Sequence, residues 1–159
     1  MALFYFNLLL TIALCGILWF MQVSYLPLLK HMDLVSLRNS AKDRQRNLIM
    51  IFFPLLSFEL LSSIFLFFLT TQSAAYYYFA FALMLQLFGL AYIFMQYQKS
   101  SKAFDETGQI DAHKKMIRDQ LVITAIWNLR LISIILALLA DGETRKPMRP
   151  FPEPGCELP

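Results

Sequence analysis

The sequence predicts an all-α, four-helix transmembrane bundle, and three observations carry that prediction. First, the 159-residue chain is 58% hydrophobic and only 16% charged, where soluble chains average about a quarter charged. Second, apart from Glu59 and Arg130, the charges fall in three islands, at residues 30–46, 99–119 and 141–157. Third, the apolar runs between those islands are long enough to cross a bilayer, which takes roughly 20 residues of helix. The formal net charge of +3 is modest, and the basic residues sit where membrane loops carry them. The pattern holds no nucleic-acid face.

Segment one covers residues 4–29 and ends at Lys30-His31. Its stretch Leu8 to Gly16 has the length of a signal-peptide core, but no Lys or Arg precedes it and the apolar run continues to Leu29, so a retained membrane helix is expected. A lipoprotein cleavage site at Cys15 would need a small residue before it, and Leu14 is not small. Cys15 and Cys156 form no metal spacing and no CxxC, and they lie too differently to be paired. Pro27 is expected to end or kink the helix.

Segment two covers residues 48–71, and the short uncharged link Thr70-Thr71-Gln72-Ser73 makes a tight antiparallel hairpin with segment three, residues 74–97. Segment three opens on Tyr76-Tyr77-Tyr78, an interfacial aromatic cluster. Segment four covers residues 119–140. Residues 1–140 thus form one transmembrane domain, and 141–159 a Pro-rich tail unable to build a helix or core of its own. Such a tail is expected to lie against something else, such as another chain.

The positive-inside rule orients the whole. Both basic islands, in loops 30–47 and 98–118, fall on one side of the membrane because two crossings separate them. That side is expected to be cytoplasmic, in a bacterial inner membrane, with the N-terminus and the tail opposite. The islands are read as topology determinants that also meet anionic lipid headgroups.

Depth along a helix follows from its rise of about 1.5 Å per residue. Glu59 lies eleven residues past Leu48, Gln86 eleven before Tyr97 and Arg130 eleven past Asp119. Each is therefore about 16 Å deep, near the middle of a core about 30 Å thick. An intramembrane charge is costly unless paired, so a Glu59–Arg130 ion pair is expected, with Gln86 adding a hydrogen bond. Ser62, Ser63, Ala82, Gly89 and Ser133 share the faces of these three residues, and Trp127 sits one turn below Arg130. Such a cluster marks either a proton or substrate pathway or a polar clamp that fixes how apolar helices pack. With one acid and one base neutralising each other, the clamp is the favoured reading. Gln22 and Tyr25, near the end of segment one, could extend the layer, though interfacial positions suit them better.

His31 and His113 both fall at helix ends on the basic side. As a metal or haem pair they would lack a third ligand, and solvated or interfacial roles fit them better. The sequence carries no Ser-His-Asp set, Gly-rich phosphate loop or paired-carboxylate site.

The chain also resembles a group of small bacterial four-helix integral membrane proteins of about this length. Their helix one ends in a Gln-Val-x-His-Tyr-Pro-Leu pattern, to which Gln22-Val23-Ser24-Tyr25-Leu26-Pro27-Leu28 is similar with Tyr25 at the histidine position. Pro54 and Glu59 match a Pro and Glu inside helix two. Phe104-Asp105, the run His113-Lys114-Lys115-Met116-Ile117-Arg118, and then Trp127 and Arg130 match the later motifs. The resemblance spans residues 1–140 and implies the same four-helix membrane fold. Tyr25, and Gln120-Leu121 where the group has Asn-Trp, mark a divergent member.

These readings lead to an accessory subunit of a larger membrane complex, without cofactor of its own, meeting lipids and other integral membrane subunits. Any haem or pigment contact would come through a partner. The alternatives are a small proton-coupled carrier using Glu59, Gln86 and Arg130, and a membrane oxidoreductase or haem-handling protein using His31 and His113.

Overall fold

Four long helices make up nearly all of the described residues, each antiparallel to the one before it. The computed structural model describes residues 2–29, 31, 33–70 and 75–144. Helix α1 spans Ala2–Leu29, α2 Leu34–Leu69, α3 Tyr76–Thr107 and α4 Ile110–Thr144. All four hold a stretch long and apolar enough to cross a membrane. Each helix packs against its neighbours in sequence, and α4 closes the ring on α1. The fold is an all-α four-helix bundle. The tail from residue 145, Lys30 and residues 71–74, where the hairpin link is expected, lie outside the described residues, as do the side chains of Arg38, Lys42 and Arg44.

The helices are longer than their membrane spans. Residues expected to be loops between 34 and 47 and between 98 and 118 are helical except at Gly108 and Gln109. The charged islands mark where the chain leaves the bilayer, and Lys, Arg, Gln and Glu are good helix formers that let the helix continue into water. The ends are set by local chemistry. Asp33 caps α2 by accepting a hydrogen bond from the Ser36 N–H at 3.3 Å. Hydrogen bonds from the Ser36 hydroxyl and backbone hold the Asp33 carboxyl below its ordinary range. Gly108 ends α3 in the left-handed conformation, φ 63°, and its N–H returns to the Phe104 carbonyl at 2.8 Å.

Two wide π turns interrupt the α geometry, at Met21–Tyr25 in α1 and Ile93–Tyr97 in α3. In each, the following N–H bonds five residues back, from Leu26 to Met21 and from Gln98 to Ile93. The first lies just before Pro27, whose ring would otherwise crowd the carbonyl four residues earlier. The helix therefore neither ends nor breaks at Pro27 but continues to Leu29. A π turn absorbs one extra residue, so positions eight apart across it face as positions seven apart do in a regular helix. The buried stripe of α1 runs Phe4, Asn7, Thr11, Leu14, Leu18 and Met21, then shifts by one to Leu26 and Leu29, leaving Leu28 exposed.

The interior is layered. Phe4, Leu66, Ala75, Phe79, Ala82, Ile134 and Ala137 close the end near the α2–α3 turn, with Phe4 edge-on to Phe79. Leu14, Cys15, Leu18, Ile123, Ile126 and Trp127 form the next apolar cluster, and Leu26, Leu29, Phe104 and Met116 the last. Between the first two lies a polar layer. The outside is apolar instead: Leu9, Phe20, Phe53, Phe58, Phe65, Phe68, Phe88, Phe94 and Leu139 are all exposed. Polar groups inside and large apolar groups outside are the distribution a bilayer demands. The protein is an integral membrane protein.

Candidate functional site

Glu59 and Arg130 are both 0% exposed, in the layer between the first two apolar clusters. Arg130 Nη1 donates to Glu59 Oε1, forming a fully enclosed ion pair. On its own, either charge would cost on the order of several kcal/mol at this depth. Each helix contributes to offsetting that cost. From α3, Gln86 Nε2 donates to Glu59 Oε2 at 3.2 Å, and from α4 the Trp127 indole N–H donates to the same oxygen at 3.3 Å.

Helix α1 joins through Asn7 and Thr11. The Thr11 hydroxyl accepts from Arg130 Nη1 at 2.8 Å, and its single proton lies within reach of Glu59 Oε1 (2.9 Å) and the Asn7 carbonyl (3.0 Å). Asn7 Nδ2 donates to Ser62 Oγ at 2.7 Å and Ser63 Oγ at 3.0 Å. Ser62 and Ser63 in turn donate to the Glu59 carbonyl one turn earlier, at 2.9 and 2.7 Å. Arg130 Nη2 donates to Ser63 Oγ at 2.7 Å. Glu59 thus receives four side-chain donors from three other helices, which fixes its rotamer and the register of the bundle. Asn7 Oδ1, Gln86 Oε1 and Arg130 Nε are buried without a hydrogen-bond partner.

Gly89 makes room for one of these donors. A Cβ at that position would collide with the Trp127 ring, so glycine lets the indole approach α3 this closely and still reach Glu59.

The structure brings Glu59, Gln86 and Arg130 together and adds Asn7, Thr11 and Trp127. Gln22 and Tyr25 lie elsewhere. They sit in the π turn of α1, eleven or more residues beyond Thr11, and neither hydrogen-bonds to the Glu59–Arg130 layer. Tyr25 packs with the Leu26, Leu29, Phe104 and Met116 cluster, and the buried Oε1 of Gln22 has no partner. His31 and His113 are also apart in role. His31 is exposed, whereas His113 is 4% exposed, packs against Phe104 with ring centroids 5.0 Å apart and tilted by 46°, and donates from Nε2 to the Leu26 carbonyl at 2.9 Å. That carbonyl is in the last turn of α1, where helix carbonyls lack partners within the helix. His113 therefore serves as a cap joining α4 to α1. Among the described residues no three of His, Cys, Asp or Glu gather as metal ligands.

A second buried polar node ties α3 to α4. Asp119 accepts from the Tyr92 hydroxyl at 2.9 Å and from the Ser100 hydroxyl. Tyr92 and Ser100 are eight residues apart on α3, and the π turn between them puts both on the face toward Asp119. The geometry of a regular helix would have turned Ser100 about 80° away (eight steps of about 100° each).

Comparison with protein-family models, curated proteins and solved structures finds no match to this chain.

Proposed function

We propose that this chain is a non-catalytic subunit of a larger membrane assembly, packing against other membrane helices through its apolar outer faces and its Pro-rich tail. The observation that carries this reading is the closed Glu59–Arg130 layer. The charges are directed at each other, Glu59 also at donors and Arg130 at acceptors of the same bundle, and neither is exposed. What the bundle offers its surroundings within the membrane is apolar, as with Phe53, Phe58, Phe65 and Phe68 on α2. In this reading the chain is a divergent member of the small bacterial four-helix family and resides in the cytoplasmic membrane. Its basic islands face the cytoplasm, its tail faces the opposite side, and any haem or pigment contact belongs to a partner. Crosslinking in native membranes, followed by purification in mild detergent, tests it. The expected result is a defined co-purifying membrane protein that is lost from a Phe58→Ala/Phe65→Ala variant. A chain that runs only as a monomer, with a protease-sensitive tail, contradicts the proposal.

One observation favours a second reading, a small proton-coupled carrier. The unpartnered Asn7 Oδ1, Gln86 Oε1 and Arg130 Nε leave donor and acceptor capacity in the layer for a polar guest. Under that reading Glu59→Gln abolishes proton-coupled flux in proteoliposomes while helicity and melting persist. Unchanged flux removes it.

A further inference from the structure

Beyond the membrane, α3 and α4 continue as a helical hairpin closed by Gly108 and Gln109, and its charges are sorted by height. The outward-facing large apolar side chains of α3 stop at Phe94 and Met95, and those of α4 resume at Leu121, with Ile110 the one large apolar side chain exposed between them among the described residues. The bilayer boundary therefore passes near Tyr97 and Asp119. Lys99 and Arg118 lie one or two residues outside it, within about 3 Å. Lys102, Lys114 and Lys115 lie four or five residues out, about 6–8 Å. Asp105, Glu106 and Asp111 lie eight or nine residues out, about 12–14 Å. A headgroup layer is roughly 5–7 Å thick on each side. All five bases of the hairpin thus stand at or just above headgroup height; Asp119, at the boundary, is turned inward to Tyr92 and Ser100, and the other three acids stand beyond the headgroups.

The bases are also arranged to act together. All five are exposed. Lys99 and Lys102 share one face of α3 at i, i+3 spacing. On α4, Lys114 and Lys115 each share a face with Arg118, at i+4 and i+3. Together with Asp111, these three line a shallow depression. Lys114 Nζ lies 3.9 Å from Asp111 Oδ1, but the two side chains are 73% and 95% exposed, and such a pair holds its partners only weakly.

We propose that this collar of Lys99, Lys102, Lys114, Lys115 and Arg118 binds the phosphate-bearing headgroups of anionic phospholipids around the hairpin. The same negative surface repels the acidic tip, so the hairpin stands upright from the membrane. Free inorganic phosphate shares the headgroup's chemistry, and the test separates the two sources. The full chain, purified in a neutral detergent, is melted with phosphatidylglycerol, with phosphatidylcholine and with inorganic phosphate. Lipid retention is read in parallel by native mass spectrometry. Phosphatidylglycerol is expected to be retained in preference to phosphatidylcholine and to raise the melting temperature, with inorganic phosphate doing neither. The Lys102→Gln/Lys114→Gln/Lys115→Gln variant, which keeps good helix formers at exposed positions, is expected to lose that preference by about five-fold per charge removed. Replacing the same lysines by Arg should preserve it. Equal retention of the two lipids, an undiminished preference in the Gln variant, or an equal response to inorganic phosphate overturns the proposal.

Discussion

Thr11 shows how much of the polar layer depends on a single hydroxyl, which accepts from Arg130 and reaches Glu59 with its own proton. Depth counting from the basic ends of segments two, three and four finds Glu59, Gln86 and Arg130. The same count on segment one, taken from Leu29, lands on Leu18 and misses Asn7 and Thr11. The physical reason is that one face of the end of α1 is buried in protein. Leu26 and Leu29 pack against Phe104 and Met116 of the extended α3 and α4, so the apolar run of α1 outlasts the bilayer. Apolar character for lipid and apolar character for a protein core look alike in sequence. At this scale Gly89 offers a sharp test, because its missing side chain is the space the Trp127 ring occupies. Gly89→Ala should destabilise the bundle by about 1–3 kcal/mol, the usual range for overpacking. In a Trp19→Phe background, it should also shift the Trp127 emission as the indole leaves Glu59. Unchanged melting and an unchanged spectrum would show that the ring is not held there.

At the scale of the element, the π turns are the features that helical periodicity could not have predicted. They add a residue without changing composition, and their trace is a one-residue slip of the buried stripe, from Leu18 to Leu26 in α1. Pro27 was a visible cue in α1, but α3 carries no proline in its π turn. If the turn at Ile93–Tyr97 stores one extra residue, removing one should regularise α3 and keep Tyr92 and Ser100 on Asp119. Deleting Phe94 is therefore expected to preserve folding, by melting and circular dichroism, whereas deleting Phe88 from the regular part should rotate the two halves by about 100° and collapse the bundle. Equal damage from both deletions would count against this account of the turn. The cap of α2 makes a separate prediction. The folded-state carboxyl of Asp33 is held below its ordinary range by Ser36, so its contribution is fully present above the unfolded value of about 3.9. It is lost as pH falls through the lower, folded value. Protection of the Ser36 amide, its exchange rate relative to the intrinsic rate at the same pH, should thus fall only below about pH 4, and Asp33→Ala should remove that fall.

For the whole molecule, the number of helices, their antiparallel order and the inward polar layer were legible from three charge islands and two isolated charges. The extent of the helices was not, because charged residues that end a membrane span do not end a helix. The lateral ring in which α4 closes on α1 was not legible either. It rests on contacts such as Arg130 with Thr11 and His113 with Leu26, which join residues more than 80 positions apart. The polar layer ties all four helices at one depth, while the apolar clusters on either side and the lipid outside are chemically interchangeable. On this view, the layer defines which faces meet, and removing half of it is worse than removing all of it.

A double-mutant cycle at Glu59 and Arg130, read by unfolding in mixed detergent, tests that view most directly. Glu59→Leu and Arg130→Leu should each destabilise by about 3–5 kcal/mol, because each leaves an uncompensated buried charge. The double variant should recover most of that loss, giving a coupling well above the few tenths expected of independent sites. Two single variants as stable as the parent chain, or losses that simply add, would contradict the ion pair as the clamp of this bundle.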